Sequence, residues 1–76
     1  MSYLSEQDEE HNKLVGDVVD GLTVAAATLE VTAQKAELLS QRGYLAAHAT
    51  REWATDKAIE IRSEAERVKL LLKMIG

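Results

Sequence analysis

The sequence contains no cysteine, no proline and no phenylalanine among its 76 residues. Without cysteine it can form neither disulfide bonds nor thiolate metal sites. The absence of proline favours long uninterrupted helices, because a proline in a helix interior costs about 3 kcal/mol. Aromatic residues make up 4% of the chain, so a core must be built from aliphatic and small side chains.

Charge is unevenly distributed along the chain, whose formal net charge is −4 at pH 7. Residues 1–31 carry seven acidic side chains and one basic one, whereas residues 32–76 carry six acidic and eight basic ones. The net negative charge argues against a nucleic-acid partner, because binding a phosphate backbone requires an excess of Lys and Arg. The opposite net charges of the two halves favour packing one half antiparallel on the other, or pairing them between chains.

Apolar residues recur in alternating steps of three and four through both halves, the spacing of helices that pack along a seam. In the first half the predicted seam is His11, Val15, Val18, Leu22, Ala25, Leu29, Thr32, Ala36 and Leu39. This seam is widened on its two sides by Val19, Ala26 and Ala33 and by Leu14. In the second half it is Tyr44, Ala47, Arg51, Ala54, Ala58, Ile61, Ala65, Val68, Leu72 and Ile75. The pattern therefore predicts an all-α protein of two long helices.

Boundary signals make the 76 residues one antiparallel helical hairpin. Ser5, followed by acidic residues, is typical of a helix N-cap, and Gly43 after Arg42 is typical of a helix end. We predict helix one over about residues 5–42, a turn near Gly43 and helix two over about residues 44–75. In this register residue i lies opposite roughly residue 86 − i. So small a hairpin has little core of its own and is expected to complete a helical bundle or coiled coil by oligomerisation.

Two other architectures remain open from the sequence. Gly16 and Gly21 lie inside the first helical pattern, and each costs about 1 kcal/mol relative to alanine. They could mark a kink or allow a close approach of the helices, and a full break there would give three helices. A continuous helix through Gly43 would instead give a parallel coiled coil.

Apolar residues outside the two seams form a candidate protein-binding surface. Val24, Val31 and Leu38 recur every seven residues on the far side of helix one. The corresponding outer positions of helix two are Ala46, Ala49 and Trp53. An apolar patch with a tryptophan on a small protein usually marks an interface. The alternative is a shifted register in which Trp53 belongs to the core.

The C-terminal segment is both basic and strongly apolar. Leu70, Leu71 and Met74 exceed what a single seam needs, and we add them to the predicted interface. An amphipathic helix of this kind docks in the groove of a partner protein or lies on an anionic membrane. A helix end buried on two sides within an oligomer is the simpler interpretation, so a membrane partner is not expected.

No pattern predicts a catalytic, metal-binding or cofactor-binding site. The two histidines, His11 and His48, are expected at opposite ends of the hairpin, too far apart to share a metal within one chain. The sequence has no Gly-rich phosphate loop and no nucleophile elbow. We therefore expect no enzymatic activity, no cofactor and no metal.

These observations predict a small protein–protein interaction module that acts by helix–helix docking, as an adaptor, assembly factor, secretion chaperone or inhibitor. The alternative is a structural subunit of a homo-oligomeric bundle or polymer, with a dimer as the expected state. A hairpin that binds RNA is a third class, but the basic residues of helix two do not share one face. With no signal peptide and no membrane-spanning run, we expect a cytoplasmic protein, and export by a leaderless route stays open.

Overall fold

The computed structural model describes residues 3–75, with side chains described for residues 9–70. Helix α1 spans Tyr3–Gln41 and helix α2 spans Ala46–Ile75, and the described residues contain no strand. The two helices pack against each other along a rod of 63 × 14 × 11 Å. The predicted all-α antiparallel hairpin is confirmed.

The turn between the helices is fixed by a glycine in the left-handed conformation. Gly43 has a φ of 98°, which favours glycine because a Cβ is strained there. Its backbone N–H donates to the Ser40 carbonyl at 3.0 Å, and the Tyr44 N–H donates to the Leu39 carbonyl at 3.1 Å. This pair of hydrogen bonds is the Schellman arrangement, which satisfies the last carbonyls of α1. It rules out a continuous helix through Gly43.

Both helices begin at different residues from those predicted. Helix α1 starts at Tyr3, two residues before the predicted N-cap Ser5, and α2 starts at Ala46. Helix α1 is also unbroken at Gly16 and Gly21, so the three-helix alternative is wrong. A Cβ on either glycine would have no heavy atom within 4 Å. These glycines are therefore not required for a close approach of α2.

The side of α1 that packs on α2 differs from the predicted seam. The covered positions that repeat in steps of three and four are His11, Val15, Val19, Leu22, Ala26, Leu29, Ala33, Ala36 and Ser40. Val18, Thr32 and Leu39 were predicted on the seam, but they are exposed. Helix α1 is thus rotated about its axis, so that residues predicted on one flank lie inside.

Helix α2 packs through the side that the sequence predicts. Its buried or half-buried seam positions are Ala47, Arg51, Ala54, Ala58, Ile61, Ala65 and Val68. Tyr44, predicted as the first of them, lies in the turn and is exposed. The side chains of the last two, Leu72 and Ile75, lie outside the described residues.

Two ion pairs between the helices show the register. Arg51 Nε lies 3.0 Å from Glu37 Oε1, and Arg62 Nη2 lies 2.7 Å from Glu30 Oε1. The predicted register would have placed Arg51 opposite residue 35 and Arg62 opposite residue 24, so it was displaced by two to six residues. One reason is that the turn takes residues 42–45 and so lies past Gly43. A second reason is that long side chains lean toward the N-terminus of their own helix, in opposite directions on antiparallel helices.

Candidate protein-binding edge

The core between the two helices consists of small side chains. Among the residues with described side chains, the buried apolar ones are Val15, Ala26, Ala33, Ala36, Ala54, Ala58 and Ala65. None of the large side chains in that part of the chain is fully buried. The accessible surface is 5749 Å², against roughly 4,600 Å² expected for a compact monomer of this mass. The hairpin therefore exposes more surface than a compact monomer of its mass, as its rod shape requires, and many of its large apolar side chains are exposed.

One long edge of the hairpin is polar, and we call it the polar edge. Its members are Thr23, Glu30 and Glu37 on α1 and His48, Thr55, Arg62 and Lys69 on α2. Glu30 accepts two hydrogen bonds from Arg62, 2.9 Å from Nε to Oε2 and 2.7 Å from Nη2 to Oε1. Arg51, on the seam beside this edge, forms the ion pair with Glu37. Two ion pairs between opposite charges thus connect α1 and α2 along this edge.

The bidentate contact shifts the pKa of both partners in the direction that favours their charged forms. The Arg62 hydrogen bonds lower the pKa of Glu30, and the Coulomb attraction of the guanidinium acts in the same direction, while desolvation opposes them. The same hydrogen bonds and attraction raise the pKa of Arg62. A planar guanidinium suits this role because it matches a carboxylate with two parallel N–H donors.

The Glu30–Arg62 pair predicts an acid-sensitive part of the hairpin's stability. Because the pKa of Glu30 is depressed by folding, its contribution is complete above the ordinary glutamate value of 4.5 and is lost as the pH falls through the folded pKa. We expect the urea midpoint of the wild type to fall more between pH 6 and pH 3 than that of Glu30→Gln. Arg62→Gln should show the same reduced dependence. Equal pH dependence in all three proteins would contradict this prediction.

The opposite long edge is apolar, and we call it the apolar edge. Its members are Leu14, Val18, Ala25 and Leu39 on α1 and Trp53 on α2. In the sequence, Glu30 and Glu37 come directly after seam residues of α1. The edge residues Val18, Ala25 and Leu39 come directly before seam residues of α1. On α2, Arg62 follows a seam residue and Trp53 precedes one. Residues before and after a seam position project to opposite sides of a helix, since successive residues are 100° apart.

The large members of the apolar edge are open to solvent. Leu14, Val18, Leu39 and Trp53 have exposed fractions of 59%, 51%, 47% and 55%. Trp53 is thus not part of the core between the helices, in contrast to the alternative in which the register placed it inside. A group of exposed large apolar side chains that includes a tryptophan, on so small a protein, is typical of an interface.

The residues predicted as an interface divide into three groups. Val24, Val31 and Leu38, which we call the outer stripe, are exposed on the side of α1 that faces away from α2. On α2, Ala46, Ala49, Trp53 and Leu70 are also described, and the last two are exposed to more than half of their surface. Leu71 and Met74 have side chains outside the described residues. The outer stripe lies between the two edges, since Leu38 lines one groove with Glu37 and Thr55 of the polar edge and another with Leu39 of the apolar edge. A role of these residues in binding stays a prediction.

The prediction from sequence missed the four α1 residues of the apolar edge. Leu14, Val18, Ala25 and Leu39 were assigned to the seam of α1 or to its flank, because their spacing fits a helix–helix contact. Their position outside the seam follows from the rotation of α1, which no residue pattern in α1 alone reveals. Two further large apolar residues of the described part, Leu45 in the turn and Ile59 on the polar side of α2, are exposed as well.

The apolar edge also carries charges on α2. Lys57, Glu60, Glu64 and Arg67 each precede a seam residue of α2, as Trp53 does, and therefore lie on the same side of α2 as Trp53. Lys57 Nζ lies 3.3 Å from Glu60 Oε1, and Glu64 Oε1 lies 3.3 Å from Arg67 Nη1. All four charged groups are accessible to water, so such pairs contribute little to the stability of the hairpin.

The concave features of the described surface are open grooves. One of about 280 Å³ is lined by Lys35, Leu38, Leu39 and Arg42 near the turn, and it joins the outer stripe to the apolar edge. Among residues 9–70, whose side chains are described, no three His, Asp or Glu side chains come together as a metal site. His48 lies 3.6 Å from Glu52 on the polar side, and His11 is half-buried far from it.

Comparison with known proteins finds no relative. The sequence matches no protein-family model, and neither the curated proteins nor the solved structures contain a significant match. Within residues 3–75, neither helix has a stretch both long and apolar enough to cross a bilayer.

Proposed function

We propose that this protein is an interaction module whose apolar edge docks against helices of another protein chain. The observation that carries the proposal is the contrast between the seam and the surface outside it. The side chains that hold α1 to α2 are mainly alanine, whereas most leucines and valines of the described part, and its tryptophan, stay accessible to solvent. A helical hairpin with this distribution gains more burial from a further layer of helices than it has from its own seam.

The magnitude of the exposed surface supports this proposal. The hairpin exposes roughly 1,100 Å² more than a compact monomer of its mass would, by the same scaling of surface with mass. A specific interface commonly buries about 800 Å² on each partner. With somewhat more than half of such an interface apolar, about 25 cal/mol per Å² gives roughly 10 kcal/mol for each partner before the costs of association, which is comparable to the stability of a small domain.

The two long edges allow a matched test by photo-crosslinking. A photoreactive amino acid replaces Leu39 on the apolar edge in one variant and Thr23 on the polar edge in the other, and both are irradiated in an extract of the source cells. We expect discrete protein adducts, identified by mass spectrometry, from position 39 and none from position 23. Adducts from both positions alike, or from neither, would overturn the proposed function.

A further inference from the structure

We propose that the chain covering the apolar edge is a second copy of this protein, with the two turns at opposite ends of a four-helix bundle. This inference rests on the proposed function and names the partner. In the arrangement, α1 lies antiparallel to α1 of the second copy, and α2 lies antiparallel to α2 of the second copy. A single two-fold axis relates the copies, as in most small homo-oligomers.

The side chains that would meet across this axis repeat every seven residues. On α1 they are Val18, Ala25, Thr32 and Leu39, each of which precedes a covered seam position. On α2 they are Thr50, Lys57 and Glu64, which precede Arg51, Ala58 and Ala65. A seven-residue spacing keeps such a stripe facing one neighbouring helix along its whole length.

Charge selects the position of the axis on α2. If the axis passes between residues 60 and 61, Lys57 of one copy lies opposite Glu64 of the other, and symmetry repeats the pair. The neighbouring antiparallel registers differ by one seven-residue repeat. One of them would place Lys57 opposite Lys57, and the other would place Glu64 opposite Glu64. Like charges facing each other are destabilising, so the register with two Lys57–Glu64 pairs is favoured.

The same axis also pairs apolar residues on α1. If it passes between residues 28 and 29, Val18 lies opposite Leu39 of the second copy, and Ala25 lies opposite Thr32. The two observed ion pairs within the hairpin, Arg51–Glu37 and Arg62–Glu30, place residues 60 and 61 level with roughly residues 27–32. A single two-fold axis is therefore compatible with both the α1–α1 contact and the α2–α2 contact, although the residues that meet in the two contacts differ in composition.

The alternative dimer, with both turns at the same end, lacks this complementarity. It would pack α2 of one copy against α1 of the other. The described α1 side of the apolar edge has no acidic residue, and its one basic residue, Lys35, lies near the level of Lys57. Lys57 and Glu64 would then keep only their contacts with Glu60 and Arg67 within α2 and gain no opposite charge from the second copy. The arrangement with two Lys57–Glu64 pairs between the copies is therefore favoured.

Reversal of single charges tests the arrangement. We expect the wild type to sediment as a dimer that dissociates on dilution. Lys57→Glu and Glu64→Lys should each raise the dissociation constant about tenfold, because each reversal creates two like-charge contacts by symmetry. An equimolar mixture of the two variants should recover wild-type affinity, since positions 57 and 64 then carry opposite charges wherever they face each other across the mixed dimer. If each substitution acted only within its own helix, mixing the two variants would not restore the wild-type affinity.

The matched control is a charge reversal on the other side of α2. Glu66 forms an ion pair with Lys69 three residues along, as Lys57 does with Glu60. Glu66→Lys should therefore lose the same kind of local contact and leave the dissociation constant unchanged. The proposal is overturned if the wild type is monomeric, if it grows into larger particles, or if the mixture stays as weak as its components.

A distance measurement tests the orientation of the two copies. Because the chain has no cysteine, Leu45→Cys gives a single attachment site for a spin label in the exposed turn. With the axis near residues 28 and 29, the two labels should be about 45 Å apart, since each turn lies some 15 residues from the axis. A separation below about 20 Å would show turns at the same end and overturn the proposal. A monomer that still gives adducts with a different protein from position 39 would overturn the second copy as partner and leave the proposed function standing.

Discussion

Leucine in place of Ala26 is expected to unfold the isolated hairpin, whereas leucine at the neighbouring Ala27 should leave it folded. Ala26 is fully buried between α1 and α2, and Ala27 is exposed. The two substitutions add the same three carbon atoms to adjacent residues of one helix. Their effects on helix propensity are also equal and small, because leucine is nearly as good a helix former as alanine. The difference between them therefore measures packing alone.

The expected cost at Ala26 comes from the spacing of the two helices. A leucine there must push α2 away or adopt a poor rotamer, and overpacking of this kind costs about 1–3 kcal/mol. Moving α2 away also opens the contact at the neighbouring alanines, Ala33 and Ala65, because the helices are rigid rods. Because its seam is built mainly from alanine, the hairpin buries little apolar surface, and its free energy of unfolding is expected to be too small to tolerate such a loss.

Circular dichroism with urea denaturation checks this prediction. At a concentration where the wild type is folded, we expect Ala26→Leu to lose most of its helical signal in the far ultraviolet or to unfold at a much lower urea concentration. The midpoint for Ala27→Leu should stay close to that of the wild type. Equal midpoints for the two variants would contradict the close packing of alanines described for this seam.

The sequence predicts the hairpin because each helix and the turn have local causes. The regular apolar spacing, the lack of proline and the glycine after Arg42 act within a few residues of themselves. The seam of α2 is also predicted correctly, since Ala54, Ala58 and Ala65 define one line along that helix. These features do not depend on what the other helix does.

The rotation of α1 could not be predicted from its own residues. Two overlapping seams share Val15, Leu22, Leu29 and Ala36. They differ in using Val18 or Val19 and Ala25 or Ala26, which are identical pairs of residues. Leu39 against Ser40 favours one seam, and Ala33 against Thr32 favours the other, so hydrophobicity does not decide.

The choice between these two seams depends on α2. With Val19, Ala26 and Ala33 inside, Glu30 and Glu37 come within reach of Arg62 and Arg51. The same rotation brings small alanines to the contact and leaves Leu39 outside, which lets the helices approach closely. The apolar edge is thus a consequence of the way in which α2 selects one side of α1, and its members are recognised only when both helices are considered together.

Lysine in place of Val18 should abolish most of the association through the apolar edge, whereas lysine in place of Ile59 should not. Both residues are β-branched and exposed, at 51% and 61%, but Ile59 lies on the polar side of α2. Lysine is a good helix former, so both hairpins are expected to stay folded. Covering the exposed half of one valine is worth about 1 kcal/mol, and two-fold symmetry doubles the loss.

A loss of about 2 kcal/mol corresponds to a dissociation constant of the dimer roughly 30-fold higher. Trp53 is the chain's one tryptophan and lies on the same side of α2 as Lys57 and Glu64, so its fluorescence is expected to respond when the second copy packs against that side. In the wild type and Ile59→Lys, we expect the emission maximum to shift to shorter wavelength as the concentration rises, because Trp53 becomes covered. In Val18→Lys the shift should require a much higher concentration. If Ile59→Lys needed the same increase as Val18→Lys, the two edges would be equivalent in association, and the distinction on which the proposed function depends would be lost.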